Sequence, residues 1–256
     1  MDAFERLVDL MERLRADDGC PWDRKQTHAS IRRYVIEEAH EVAEAIDGGD
    51  PDELRLELGD LLLQVVFHAR IAEEANQFDI VGVCEGIVAK MERRHPHVFG
   101  DVEVADADEV SRNWEAIKAR ERGVESSALD GVPKSMPALQ RAERIGEKAA
   151  KSGFDWPHAR AVLAKVGEES AALEAAGDRS ERAAEFGDLL FSLVNLARHL
   201  DIDPEQSLAG TVQRFEARFR HAESAARGSG PGLRDLSQQE RDILWEAAKK
   251  AMETSA

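Results

Sequence analysis

Four short blocks of this chain occur twice, in the same order and at almost the same spacing. Val166-Gly167-Glu168-Glu169 echoes Ile36-Glu37-Glu38, with Glu168 lying 131 positions after Glu37. Glu185-Phe186-Gly187-Asp188-Leu189-Leu190 repeats Glu57-Leu58-Gly59-Asp60-Leu61-Leu62 at an offset of 128, and Arg214-Phe215-Glu216-Ala217-Arg218 repeats Lys90-Met91-Glu92-Arg93-Arg94 at 124. Trp245-Glu246-Ala247 repeats Trp114-Glu115-Ala116 at 131. Conserved order at a near-constant offset marks a duplicated unit. The fold must therefore be one that half of the chain can form. We expect an N-terminal domain over 1–124, a Gly, Ser and Pro punctuated linker over 125–137, and a C-terminal domain over 138–256.

The unit is helical. Apolar residues at 31, 35, 39, 42 and 46 recur every three or four positions, and no segment alternates with a two-residue period over strand length. Gly48-Gly49 ends the first of these helices. Asp50 then supplies an N-cap, with Pro51 in the first turn and Glu53 three residues after the cap. Leu54, Leu58, Leu61, Leu62 and Val65 make one face of the next helix, so the pair is an antiparallel hairpin. Further helices are predicted over 1–15, from Asp79 to His95, from Asp108 to Arg122, and near 138–151, 157–176, 180–200, 204–227 and 238–254. Residues 96–107 and 228–232 read as loops. The fold class is all-α, a duplicated helical bundle.

Acids sit on this hairpin in a particular pattern. Glu38 and Glu41 are three apart, as are Glu57 and Asp60, so at roughly 100° per residue each pair shares a helix face. Leu56, Leu61 and Leu63 flank the second pair, and a carboxylate among leucines is costly unless a cation offsets it. A solvated acidic face explains Glu44 and Glu53. It does not explain Glu57 and Asp60, for which no lysine is spaced as a partner. Four carboxylates between two helices call for a divalent cation, and an all-oxygen set suits Mg²⁺, with Mn²⁺ as a substitute, over zinc or copper.

Other chemistries fit less well. Glu37 and His40 have the Glu-x-x-His spacing of di-iron bundles, but the partner helix offers Asp60 where a second histidine is required. No Arg-Glu-x-x-x-Glu-Glu helix and no glycine-rich phosphate loop are present. A net charge of −17 and a pI near 4.9 disfavour nucleic acid or an anionic membrane as partner. Two cysteines, Cys20 and Cys84, are too few for a disulfide framework and fit a reducing cytosol. Residues 1–15 read as an amphipathic helix, not a signal peptide, so a cytoplasmic protein is expected.

The Glu-Glu-x-x-Glu and Glu-x-x-Asp blocks, with Gly19-Cys20-Pro21-Trp22-Asp23, Arg93-Arg94-His95-Pro96-His97-Val98-Phe99 and the duplicated layout, resemble the MazG family of nucleoside triphosphate pyrophosphohydrolases over essentially the whole chain. The resemblance implies an all-α fold, Mg²⁺ dependence, a homodimer, and hydrolysis of a nucleoside triphosphate to monophosphate and pyrophosphate, in the service of nucleotide-pool cleaning. It assigns Glu38, Glu41, Glu57 and Asp60 as metal ligands, with Glu37 or Glu38 as the base that activates water. In the second half the corresponding residues are Glu168, Glu169, Glu185 and Asp188, but Ala172 stands where Glu41 has its counterpart. Lys90, Arg93 and Arg94 are expected to meet phosphate, as are Lys165, Arg214 and Arg218, with Glu168 beside them. Trp114 and Trp245 are candidates for stacking on a base. By ligand count the first half is expected to carry hydrolysis. The competing expectation is a helical nucleotide-sensing or dimerisation module with vestigial metal sites.

Overall fold

The computed structural model describes residues 2–122, 127–228 and 232–253, so parts of the predicted linker, of the 228–232 loop and of the last helix lie outside the described residues. Every regular element among the described residues is a helix. The chain divides into two compact units, Met1–Val124 and Glu125–Ala256.

In the first unit, α1 (Ala3–Arg15) starts with a capping box in which Asp2 accepts from Glu5 N at 2.8 Å. After α1 the chain folds tightly back, Cys20 N donating to Leu14 O at 2.8 Å. A Cβ at Gly19 would lie 2.4 Å from Leu14 O, so only glycine fits this turn. A single turn, α2 (Pro21–Arg24), leads to α3 (His28–Gly48), which Thr27 and Ser30 cap reciprocally. Gly49, at φ +73°, closes α3 in the left-handed conformation, and Asp50 opens α4 (Pro51–Glu74) by accepting from Asp52 N at 2.9 Å. Asp79 caps α5 (Ile80–Arg94).

The predicted 96–107 loop contains one helical turn, α6 (Pro96–Phe99), because Pro96 occupies the first-turn position that tolerates proline. The next helix, α7 (Ala107–Arg122), is capped by Asp106 and not Asp108: Glu109 N donates to Asp106 Oδ1 at 2.8 Å while the Glu109 side chain accepts from Ala105 N at 2.9 Å. Met11, Ile31, Val66 and Phe67 form the core where α1, α3 and α4 meet, with Leu7, Leu14, Tyr34, Leu63 and Ile80 packed around them. Arg15, only 6 % exposed, lies over Phe67 and pairs with Glu74 at 2.7 Å, which fastens the end of α1 to the end of α4. That pairing, with Arg70 beside it, holds the Glu74 carboxyl below its usual range.

The second unit repeats the plan. Its helices are α8 (Ala138–Lys151), α9 (Ala159–Ala175), α10 (Arg179–His199), α11 (Pro204–Gly228) and α12 (Gln238–Glu253), with a 3₁₀ turn at Leu233–Asp235. The hairpin of α9 and α10, capped by His158 and Asp178, corresponds to that of α3 and α4. Val162, Val194, Ala222, Ala226 and Ala248 are its buried apolar residues. Arg198 pairs with Asp155 at 2.5 Å and ties α10 to the segment ahead of α9. No described helix is long and apolar enough to cross a membrane.

Both hairpins leave apolar side chains at the surface. Leu56 is 56 % exposed, Leu58 49 % and Leu62 40 %, and Phe186, Leu190 and Leu193 are similarly open on α10. The expectation that leucines wall the Glu57–Asp60 strip off from water is thus not met within this chain. A two-helix hairpin has too few neighbours to cover both faces of α4, and Asp60 itself is exposed.

Candidate metal centre

On α3, Glu38 and Glu41 lie one turn apart, and α4 presents Glu57 to them. One carboxylate oxygen from each of the three lies within 4.8 Å of the others. Among the described residues none of the three has a Lys, Arg or His partner. Partial burial, followed by repulsion from Glu41, Asp60 and Glu57, raises the Glu38 pKa. Burial, then Glu41 and Asp60, does the same to Glu57. Desolvated like charges with nothing to offset them are a site short of positive charge. Gln64, 8 % exposed, donates to Glu38 Oε1 at 3.4 Å, and its own Oε1 is buried without a partner.

Three acids, not four, form this group. Asp60 acts on Glu38 and Glu57 through its charge, yet its oxygens stand outside the tight cluster. Glu37 also stands outside it, exposed on α3, where it supports the charged form of Arg33.

In the second unit Glu169, Glu185 and Asp188 come together within the same 4.8 Å. Here the aspartate is in the group, and Ala172 stands where Glu41 does in the first unit. The charge balance also differs. Lys165 Nζ lies 2.6 Å from Glu169 and 3.3 Å from Glu168, so an internal ammonium already answers part of the negative charge. Glu168, like Glu37, is outside the group.

The expected phosphate-binding cations fall out differently in the two units. In the first, Arg93 Nε donates to Glu121 Oε1 at 2.7 Å, and Arg94 donates to Glu121 Oε2 through Nη2 at 2.5 Å and Nε at 3.1 Å. These two arginines hold the Glu121 carboxyl down to about 2. Lys90 lies half-buried on the same helix. Trp114 is not an open stacking surface: Arg94 sits 5.4 Å over its ring and His95 meets it edge-on at 4.8 Å. In the second unit Arg214 donates to Thr211 Oγ1 at 2.8 Å, and Arg218 Nε is buried with no partner. Trp245 leans on Phe215 at 5.2 Å, and Phe215 stacks on Phe219.

Three of these participants were not anticipated. Glu121 reaches its arginines across more than a score of residues and belongs to no motif. Phe215 is hidden in a block read only for its cations. Gln64 left a signal, since it interrupts the apolar run Leu61–Phe67 on the helix that carries Glu57 and Asp60.

Residues 26–99 match the MazG nucleotide pyrophosphohydrolase domain, a stretch that holds all the acids of the first group. Over 98 % of its length the chain is 46 % identical to a nucleoside triphosphate pyrophosphohydrolase/pyrophosphatase MazG of Thermotoga maritima, covering 97 % of that protein. It is 43 % identical to a nucleoside triphosphate pyrophosphohydrolase of Escherichia coli K12, covering 98 % of each chain. A crystal structure of a mazG-related protein from Thermotoga maritima aligns with 44 % of this chain and 97 % of its own, at 28 % identity and a TM-score of 0.40.

Proposed function

The chain belongs to the MazG family, and from that premise we propose that it hydrolyses nucleoside triphosphates to the monophosphate and pyrophosphate, with the first unit as the hydrolytic centre. The observation that carries this is the uncompensated group of Glu38, Glu41 and Glu57. These three would hold the cation, with Asp60 adding charge from outside the group. Their oxygen donors and mutual repulsion fit a small hard ion, Mg²⁺ first and Mn²⁺ as its substitute. Such an ion, when bound, neutralises phosphate oxygens and makes water more acidic.

The protein's own groups do the rest. Of the two candidates for the base, Glu38 lies inside the group and holds the cation, whereas Glu37 stands outside it on α3 with its carboxylate free of the cation. Lys90, Arg93 and Arg94 supply positive charge for the phosphates not facing the acids. The exposed leucines of α4 and α10 are the surface that a second copy would cover, as the expected homodimer requires. The excess of acid over base keeps nucleic acid away, and removal of unwanted nucleotides in the cytoplasm is the role that matches.

A second reading applies to the second unit alone. Lys165 already answers its acids and Ala172 leaves α9 with one acid where α3 has two, so this unit is the better candidate for binding nucleotide without turning it over. There Trp245 with Phe215 would meet the base and Arg214 and Arg218 the phosphates, with Lys165 and Glu168 beside them. The test is pyrophosphate release from the eight standard NTPs and dNTPs with Mg²⁺. Glu57→Gln is expected to abolish release, Asp60→Asn to reduce it strongly, and Asp188→Asn to reduce it least. If Asp188→Asn is the most damaging, hydrolysis belongs to the second unit.

A further inference from the structure

We propose that Glu121 is an internal stand-in for substrate phosphate, which holds Arg93 and Arg94 until the triphosphate displaces it. The inference rests on the reading above, in which these arginines meet phosphate. Its first support is geometric. Two guanidinium groups from adjacent positions converge on the two oxygens of one carboxylate through three donated hydrogen bonds. That is the donor arrangement that recognises one face of a phosphoryl group.

A second support is where the carboxylate is mounted. None of the described side chains of α7 is fully buried. The helix is held against α5 by Trp114, packed on His95 and Arg94, and by the Glu121 contact near its last turn. Val110, Trp114 and Ile117 are half-buried, so α7 stays docked and the exchange is made at the Glu121 side chain near its last turn. Arg93 is 56 % exposed, so an anion reaches it directly, whereas Arg94 is 15 % exposed and stays seated over Trp114. The exchange therefore replaces a carboxylate by a phosphate on arginines that do not move far.

The third support is the repeat. Counting 131 positions on from Glu121, the offset that relates Trp114 to Trp245, gives Met252. Where that carboxylate is missing, Arg218, the counterpart of Arg94, has its Nε buried and unpaired. The packing of such a helix pair does not itself demand an acid at this place. The second unit has only one of the two arginines, Ala217 standing where Arg93 does, so the carboxylate and the arginine pair it closes occur together in the first unit alone.

The test uses the full chain carrying Glu185→Gln and Asp188→Asn, so that turnover reports on the first unit, with and without Glu121→Gln. Two quantities are read: KM for pyrophosphate release from dATP with Mg²⁺, and the affinity for inorganic tripolyphosphate by calorimetry at several salt concentrations. Glu121→Gln keeps the shape of the side chain and removes its charge. KM and the tripolyphosphate Kd are expected to fall about three- to tenfold, the effect falling on KM and not kcat, and binding is expected to become more salt-dependent. A brace lost from α7 would instead lower the melting temperature with no gain in affinity. Glu121→Ala is run beside it and must show the same gain. Unchanged or weaker tripolyphosphate binding in both variants overturns the proposal. Tighter tripolyphosphate binding in a chain that releases no pyrophosphate keeps the stand-in and discards hydrolysis in the first unit. Turnover with an unmoved KM and Kd does the reverse.

Discussion

Replacing Glu38 by glutamine should make the metal-free protein more stable while removing its response to Mg²⁺. Glu38 has one oxygen within 4.8 Å of oxygens on both Glu41 and Glu57, and its pKa is raised by burial and by those neighbours. Its charge is thus a net cost to the metal-free fold. After screening by solvent, removing it relieves on the order of 1 kcal/mol. The Gln64 amide keeps its partner, because glutamine retains the oxygen that accepts at 3.4 Å. In EDTA the variant should therefore melt about 2–4 °C above the parent. With Mg²⁺ at a hundred times its dissociation constant, the parent gains about 2.7 kcal/mol from binding. In the Glu185→Gln/Asp188→Asn background that gain reports on the first unit, and the Glu38→Gln chain should lose most of it. Scanning calorimetry in EDTA and in Mg²⁺ gives all four numbers. A variant that melts lower in EDTA, or that responds to Mg²⁺ as fully as the parent, would show that these acids are not a charged group waiting for a cation.

Two further outcomes follow from the second unit. Ala172→Glu restores the acid that the repeat lacks, on the α9 face that holds Glu169, and should tighten Mg²⁺ binding by the second unit, read by calorimetry in a Glu57→Gln background; no change would mean that Asp188 has already taken the place. Asp155 is held down to about 2, chiefly by Arg198 and then by His199. Its depressed pKa contributes stability that is present above about pH 4, where the unfolded carboxyl is ionised, and is lost as pH falls through about 2. Asp155→Asn should cost about 1–2 kcal/mol at pH 7, and its deficit against the parent should shrink toward zero near pH 2 in denaturant titrations.

The hairpins were legible because their signals are local. Gly49 can take a positive φ, Asp50 can cap and Pro51 can start a helix, and each acts within four residues of the break. The boundary error at α7 is of the same kind. Asp106 and Asp108 are both capping residues, and the choice fell to Asp106 because Glu109 could then reach back to Ala105. Membership of the acid groups was less readable. Asp60 and Asp188 both follow a glutamate by three residues, yet only Asp188 joins its group. The facing helix also differs, with Glu41 in one case and Ala172 in the other, and helix periodicity says nothing about a neighbour. The contact of Glu121 with its arginines was invisible for a similar reason, being made between helices that no spacing rule connects.

Duplication followed by divergence has left the two units with opposite charge problems. In the first, the acids face one another with no cation, and the arginines are closed by a carboxylate from α7. In the second, an ammonium from α9 closes the acids, and an arginine nitrogen is left buried without a partner. Each unit thus answers internally one of the two charges that a cation–triphosphate complex brings, and leaves the other open. On the proposed reading, a triphosphate arriving with its metal would find in the first unit a strong demand for the metal and would have to win its arginines from Glu121. In the second unit it would find Arg218 with one nitrogen unpaired but would have to win the acids from Lys165. The exchange at Glu121 puts a ligand of higher charge on the same donors. Displacing Lys165 instead trades a 2.6 Å ion pair to a buried glutamate for a metal that has one acid fewer on α9 to hold it. That asymmetry is the reason for proposing hydrolysis in the first unit.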